Sequence, residues 1–245
     1  MNVPGLLIGG QEKKEKLDNI DLSHEKGTKD FLIYNDSDII KKLSSFKNIE
    51  SYAIVPDVSS YVRDMTKHGM VGMGIRKIKS LGLFNLLRIS LSAITKIRKI
   101  LKQDFKVLLP ILVKVDYLEL KKLKPNHVFL HYQMTDLALA NDNKELISKF
   151  LSLNLGSAKL GLMTQNLSLL EEKLEKWGLN AASILAPFNY NGFAMRNSKE
   201  ECEKMVKTKN KNYFSFTFTS NANLANELNY LQNIGLKRNF ILIKD

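Results

Sequence analysis

Four ionisable side chains stand at the ends of short apolar runs: Asp57 after Tyr52 to Pro56, Lys114 after Val107 to Val113, and His131 and Asp136 at and beyond Val128 to His131. A lysine in that position would have its amine pKa lowered by desolvation, as a Schiff-base nucleophile requires. His131 could exchange a proton near neutral pH, with Asp57 or Asp136 orienting it. Plainer roles stay open beside these. Lys114 could point outward, His131 could be satisfied by backbone, and the two aspartates could cap helices beginning at Val58 and Leu137.

Neutral hydrogen-bonding groups follow the same runs and suit the orientation of a ligand: Gln133, then Gln165 and Asn166, then Asn189, then Ser220 and Asn221. Ser220-Asn221 precedes a helical pattern, where free amides and the helix dipole favour a phosphate. Arg63 could clamp a phosphate or carboxylate in two-pronged fashion, or lie on a solvated helix face. The four histidines, at 24, 68, 127 and 131, do not form a zinc-binding helix pattern. His127 and His131 are four apart, but along a strand that is about 13 Å. No metal and no cofactor is expected.

Positioning such residues requires a scaffold, and the order of elements supplies one. Eight β-branched or aromatic runs are candidate strands: Leu6 to Gly9, Tyr52 to Pro56, Val107 to Val113, Val128 to His131, Lys159 to Met163, Ser183 to Ala186, Tyr213 to Phe218 and Phe240 to Ile243. Helical spacing marks Ser37 to Phe46, Asn143 to Leu153, Ser168 to Trp177, Ser198 to Val206 and Asn223 to Ile234 between them. Ser198-Lys-Glu-Glu201 is a capping box and Gly235 a helix C-cap. Alternating strands and helices predict an α/β fold with a parallel sheet, and eight strands in 245 residues predict a (β/α)8 TIM-type barrel in one domain, 1–245. The extra apolar run Phe31 to Tyr34, and the lack of a helix after the last strand, keep a doubly wound open sheet as the alternative. In a barrel the chemistry sits at the C-terminal ends of the strands, where the residues above fall.

One segment breaks the pattern. Between the second and third candidate strands, from Met65 to Gln103, no residue is acidic. Within it Leu83, Leu87, Leu91, Ile94, Ile97 and Leu101 share a helical face, opposite Arg88, Ser92, Thr95, Lys99 and Lys102. This basic amphipathic helix could pack on the barrel, cap its mouth, or lie on an acidic membrane surface through Arg76 to Lys102.

The chain carries a formal net charge of +12 and a single cysteine, Cys202, which excludes an internal disulfide. No stretch of 18 uncharged apolar residues occurs, and the apolar N-terminus lacks a basic n-region, so it reads as a strand, not a signal peptide. The expectation is a cytoplasmic protein, membrane-peripheral if the basic helix docks. Net charge alone would admit nucleic acid, but no recognition motif accompanies it, so nucleic acid is disfavoured.

The stretch Pro187-Phe188-Asn189-Tyr190-Asn191-Gly192-Phe193-Ala194-Met195, with the capped helix after it, resembles a segment found late in uncharacterised microbial TIM-barrel proteins. The resemblance implies the fold and no reaction. Such relatives end with a glycine-bearing phosphate loop and helix, whereas Phe240 to Lys244 here is followed only by Asp245. Taken together, the residues predict an enzyme acting on a small anionic metabolite, phosphorylated or carboxylated, of lyase, aldolase or transferase type. A membrane-docked enzyme and a non-catalytic ligand- or partner-binding barrel are the alternatives. A homo-oligomer stays open.

Overall fold

The computed structural model describes residues 5–8, 13–64, 66–69, 105–236 and 238–243. Eight parallel strands close into a barrel in chain order: β1 (Gly5–Ile8), β2 (Asp30–Ile33), β3 (Glu50–Val55), β4 (His127–Leu130), β5 (Lys159–Met163), β6 (Ser183–Pro187), β7 (Tyr213–Thr219) and β8 (Arg238–Ile243). β8 pairs with both β7 and β1, so the sheet has no free edge and the open-sheet alternative falls away. The helices are α1 (Lys13–Glu25), α2 (Ser37–Ser44), α3 (58–64), α4 (Phe105–Leu120), α5 (Tyr132–Ala140), α6 (Lys144–Leu151), α7 (Leu167–Trp177), α8 (Lys199–Thr208) and α9 (Leu224–Asn233).

Two assignments change. Phe31 to Tyr34, read above as a surplus run, supplies the second strand, paired Leu32 to Leu7 and Leu32 to Tyr52. Val107 to Val113, read as the third strand, is the start of the 16-residue α4. A short apolar run fits a buried strand or a buried helix equally well, and only its continuation decides. Here Leu109, Val113, Asp116 and Leu120 recur at four, three and four residues and are all buried, a helical stripe. The long connection therefore lies between β3 and β4, not between β2 and β3. Apart from 66–69, the basic segment about 65–103 lies outside the described residues.

Caps written in the sequence fix the outer helices. The Asp36 carboxylate accepts from the amides of Asp38 and Ile39 and starts α2, which buries Ile39, Ile40 and Leu43. Asn143 and Asn166 cap α6 and α7 in the same way, and Ser198 Oγ accepts from Glu201 N at 3.1 Å to start α8. Gly178, at φ +63°, ends α7, whose buried stripe is Leu167, Leu170, Leu174 and Trp177. These apolar faces and the outward residues of the strands form one continuous shell around the barrel.

The barrel interior is a second, separate core of Leu7, Leu32, Tyr52, Ile54, Phe129, Met163, Leu185, Phe214, Phe216, Phe240 and Leu242. Its rings meet edge to face, Tyr52 with Phe240 at 5.0 Å and Phe129 with Phe214 at 5.8 Å, an arrangement the ring quadrupoles favour. Two interior positions must be glycine because those rings occupy the space: a Cβ on Gly161 would lie 2.6 Å from Phe129 and from Ser183 Oγ. At the N-terminal pole Arg238 donates to Tyr52 Oη (3.1 Å) and approaches Asp30 and Glu50, closing that end with paired charge. Gly161→Ala is expected to lower stability by about 1–3 kcal/mol through overpacking, measured as a shift of the urea midpoint at unchanged slope.

Candidate functional site

The mouth formed by the C-terminal strand ends divides into two halves. On the β2 to β4 side, a buried carboxylate that belongs to no strand ties the loops together. Asp116, on α4 and fully buried, accepts from Asn35 Nδ2 (3.0 Å) and Tyr61 Oη (2.9 Å) on Oδ1, and from Asp57 N (2.8 Å) on Oδ2. It thus joins the loops after β2 and β3 to α4. Asp57 in turn accepts from Ser60 N at 3.0 Å, the capping role named for it above.

His131 follows β4 and is buried between Tyr34 and Tyr132, with ring centroids 5.8 and 4.6 Å away. Its Nδ1 accepts from Gln133 N at 3.2 Å, which places the proton on Nε2 and makes the imidazole the cap of α5. The orientation by Asp57 or Asp136 does not occur, since both carboxylates bond elsewhere. Burial drives the His131 pKa down to about 4, so the ring is neutral at physiological pH.

Lys114 is exposed and stands inside α4, not at the end of a strand, because the run before it is helical. The premise for a desolvated Schiff-base amine is therefore absent. Arg63 on α3 and Gln133 on α5 are likewise exposed. Asn166 is spent on capping α7, and its neighbouring groove lies outside the barrel mouth. Asn221 opens the short 3-10 turn before α9.

The β5 to β7 side of the mouth is open. A cleft of 460 Å³ is lined by Gln165 from the end of β5, Asn189, Asn191 and Phe193 from the loop after β6, Phe216 to Ser220 along β7, and Asn223 and Glu227 of the segment leading into α9. Asp136 shapes one wall. Its carboxylate accepts from Thr164 Oγ1 (2.5 Å) and from Gln165 N (3.1 Å), fixing the turn that carries Gln165. Burial raises the Asp136 pKa against those two bonds. The opposite wall is fixed by Asn189, whose side chain both donates to Phe193 O (2.7 Å) and accepts from Phe193 N (2.8 Å). That clip leaves the Phe193 ring 76% exposed, beside Phe218 at 49%.

Glu227 stands out in this cleft. It is only 4% exposed, Oε2 accepts from Tyr190 N at 3.1 Å, and Oε1 is buried with no hydrogen-bond partner among the described residues. Burial raises its pKa, opposed by the Tyr190 amide and by Lys199. Glu227 is absent from the candidate residues above, although the sequence carries a signal: it sits on the buried stripe of α9 with Tyr230 and Leu231, where an acid is out of place. Among the described residues no three His, Cys, Asp or Glu side chains gather to hold a metal ion, and no helix is long and apolar enough to cross a membrane.

His127, at the opposite end of the interior between Tyr52, Phe129 and Phe214, has both ring nitrogens buried and unpartnered among the described residues, and its pKa also falls to about 4. Both histidines bind a proton more weakly folded than at the ordinary value of 6.5. Their contribution is therefore complete above pH 6.5 and lost as pH falls from there toward 4. Urea titrations across that window should show stability dropping, by at most roughly 3 kcal/mol for each histidine, and His127→Phe should flatten the drop. Asp116→Ala should cost about 3 kcal/mol or more by the same assay, because three donors lose their acceptor. No protein family, curated protein or solved structure matches the chain.

Proposed function

We propose that this barrel is an enzyme acting on a small metabolite held in the cleft at the ends of β5 to β7, with the Glu227 carboxyl as its proton donor and acceptor. The observation that carries the reading is that Glu227 lines that cleft while its buried Oε1 has no hydrogen-bond partner among the described residues. A buried polar atom without a partner costs on the order of 1–3 kcal/mol, and such a cost is kept where a ligand uses the atom. The raised pKa brings the carboxyl toward the range where proton transfer at neutral pH is efficient. Gln165, Thr219 and Ser220 offer uncharged groups to orient a substrate from the facing walls. Position agrees with chemistry, since barrels place their reactions at this end.

Glu227→Gln separates this proposal from a structural role. Folded Glu227 holds its proton more tightly than the unfolded 4.5, so its ionisation weakens the fold progressively as pH rises above that value. The glutamine variant should therefore equal or exceed the wild type in melting temperature at pH 7. A thermal-shift screen of phosphorylated, carboxylated, amino and neutral metabolites identifies a ligand, whose conversion is followed by NMR. Turnover of that ligand should fall about 100-fold or more in Glu227→Gln. Undiminished turnover in the variant would sink the proposal.

A further inference from the structure

We infer that the cleft takes a primary or secondary amine, with the ligand's ammonium group on the Glu227 carboxylate and its carbon frame against Phe193 and Phe218. The inference rests on the reading of this cleft as the working site and names its ligand class. Three observations on separate elements carry it.

The first is the hydrogen-bonding state of Glu227 on α9. Oε2 is engaged by Tyr190 N and Oε1 by none of the described residues, which leaves the carboxylate one donor short among them. An ammonium N–H supplies that donor together with the countercharge, and a quaternary ammonium, having no N–H, would supply only the charge. Lys199 acts on Glu227 through space but makes no ion pair with it. Its Nζ donates to Tyr190 O at 2.7 Å and lies over the Tyr230 ring at 4.5 Å.

The second is the charge of the lining. No lysine, arginine or histidine lines the cleft among the described residues, and Glu227 is its one ionisable group there. This occurs in a chain whose formal net charge is +12. The overall field favours anions, so a site meant for a phosphate or carboxylate would not be expected to place its only charge as a carboxylate. The anionic metabolite expected from composition is therefore not the ligand this cleft fits.

The third is the aromatic rim. Phe193, 76% exposed, and Phe218, half exposed, both line this cleft, and aromatic rings at its rim suit an apolar frame that carries a cation. A volume of 460 Å³ accommodates a small molecule and not a folded partner.

Benzylamine, benzyl alcohol and benzoate share one ring and differ in charge, which makes them direct probes. Titrated by NMR against the full chain at pH 7, benzylamine should bind about tenfold tighter than benzyl alcohol, with benzoate weakest. Glu227→Gln should erase the advantage of the amine and leave benzyl alcohol unchanged, while Phe218→Leu should weaken all three. An amine preference that survives Glu227→Gln overturns the inference, as does binding of none of the three. If benzoate binds tightest and Phe218→Leu abolishes its binding, the amine assignment falls while the cleft stands as a binding site. The turnover of Glu227→Gln then decides the enzyme reading on its own.

Discussion

Closure of the ring is the constraint on which the rest depends. A parallel strand at an open edge leaves a row of amides and carbonyls without partners, and here only the pairing of β8 with β1 removes that row. The pairing sets Gly5 opposite Phe240, and a Cβ on Gly5 would stand 2.7 Å from the Phe240 ring. The last strand can therefore bring a phenylalanine inside only because the first strand brings nothing there. Once the ring is closed, side chains alternate between an interior of edge-to-face rings and an outer shell covered by helices. The strand ends then converge on one mouth.

That mouth is treated differently on its two sides. Around β2 to β4 two acids have structural occupations: Asp116 gathers Asn35, Tyr61 and the Asp57 amide, and Asp57 caps α3. His131 is occupied as well, accepting from the first turn of α5. Around β5 to β7 the polar groups are held from behind. Asp136 grips the turn that presents Gln165, and Tyr190 N holds one oxygen of Glu227 while the other goes without. Satisfied groups make one half rigid, and an unsatisfied one on rigid supports is what motivates the binding proposal for the other.

Much of the fold was legible because it is written in local patterns. Ser198 announces a helix start and Gly235 a helix end by their own chemistry, and seven of the eight strands follow from β-branched or aromatic runs. The misreading of Val107 to Val113 has a physical cause, since a continuous apolar run carries no period of its own. Asp116 at the right phase from Leu109 and Val113 was the missing clue. The site was less legible. Which strand-end groups are spent on caps and ties depends on contacts between residues far apart in sequence, such as Asp57 with Asp116 or Thr164 with Asp136. Lys114 and Glu227 exchange importance for the same reason: one stands on an exposed helix face and the other on a buried one.

The paired hydrogen bonds between Asn189 and the backbone of Phe193 carry an entropic consequence. A five-residue turn pinned at both the amide and the carbonyl of its last residue has already surrendered the freedom that an ordinary loop loses on meeting a ligand. Phe193 is thus offered to solvent as preorganised surface. The contact energy of whatever settles on that ring goes into residence on the protein and not into ordering the chain beneath it.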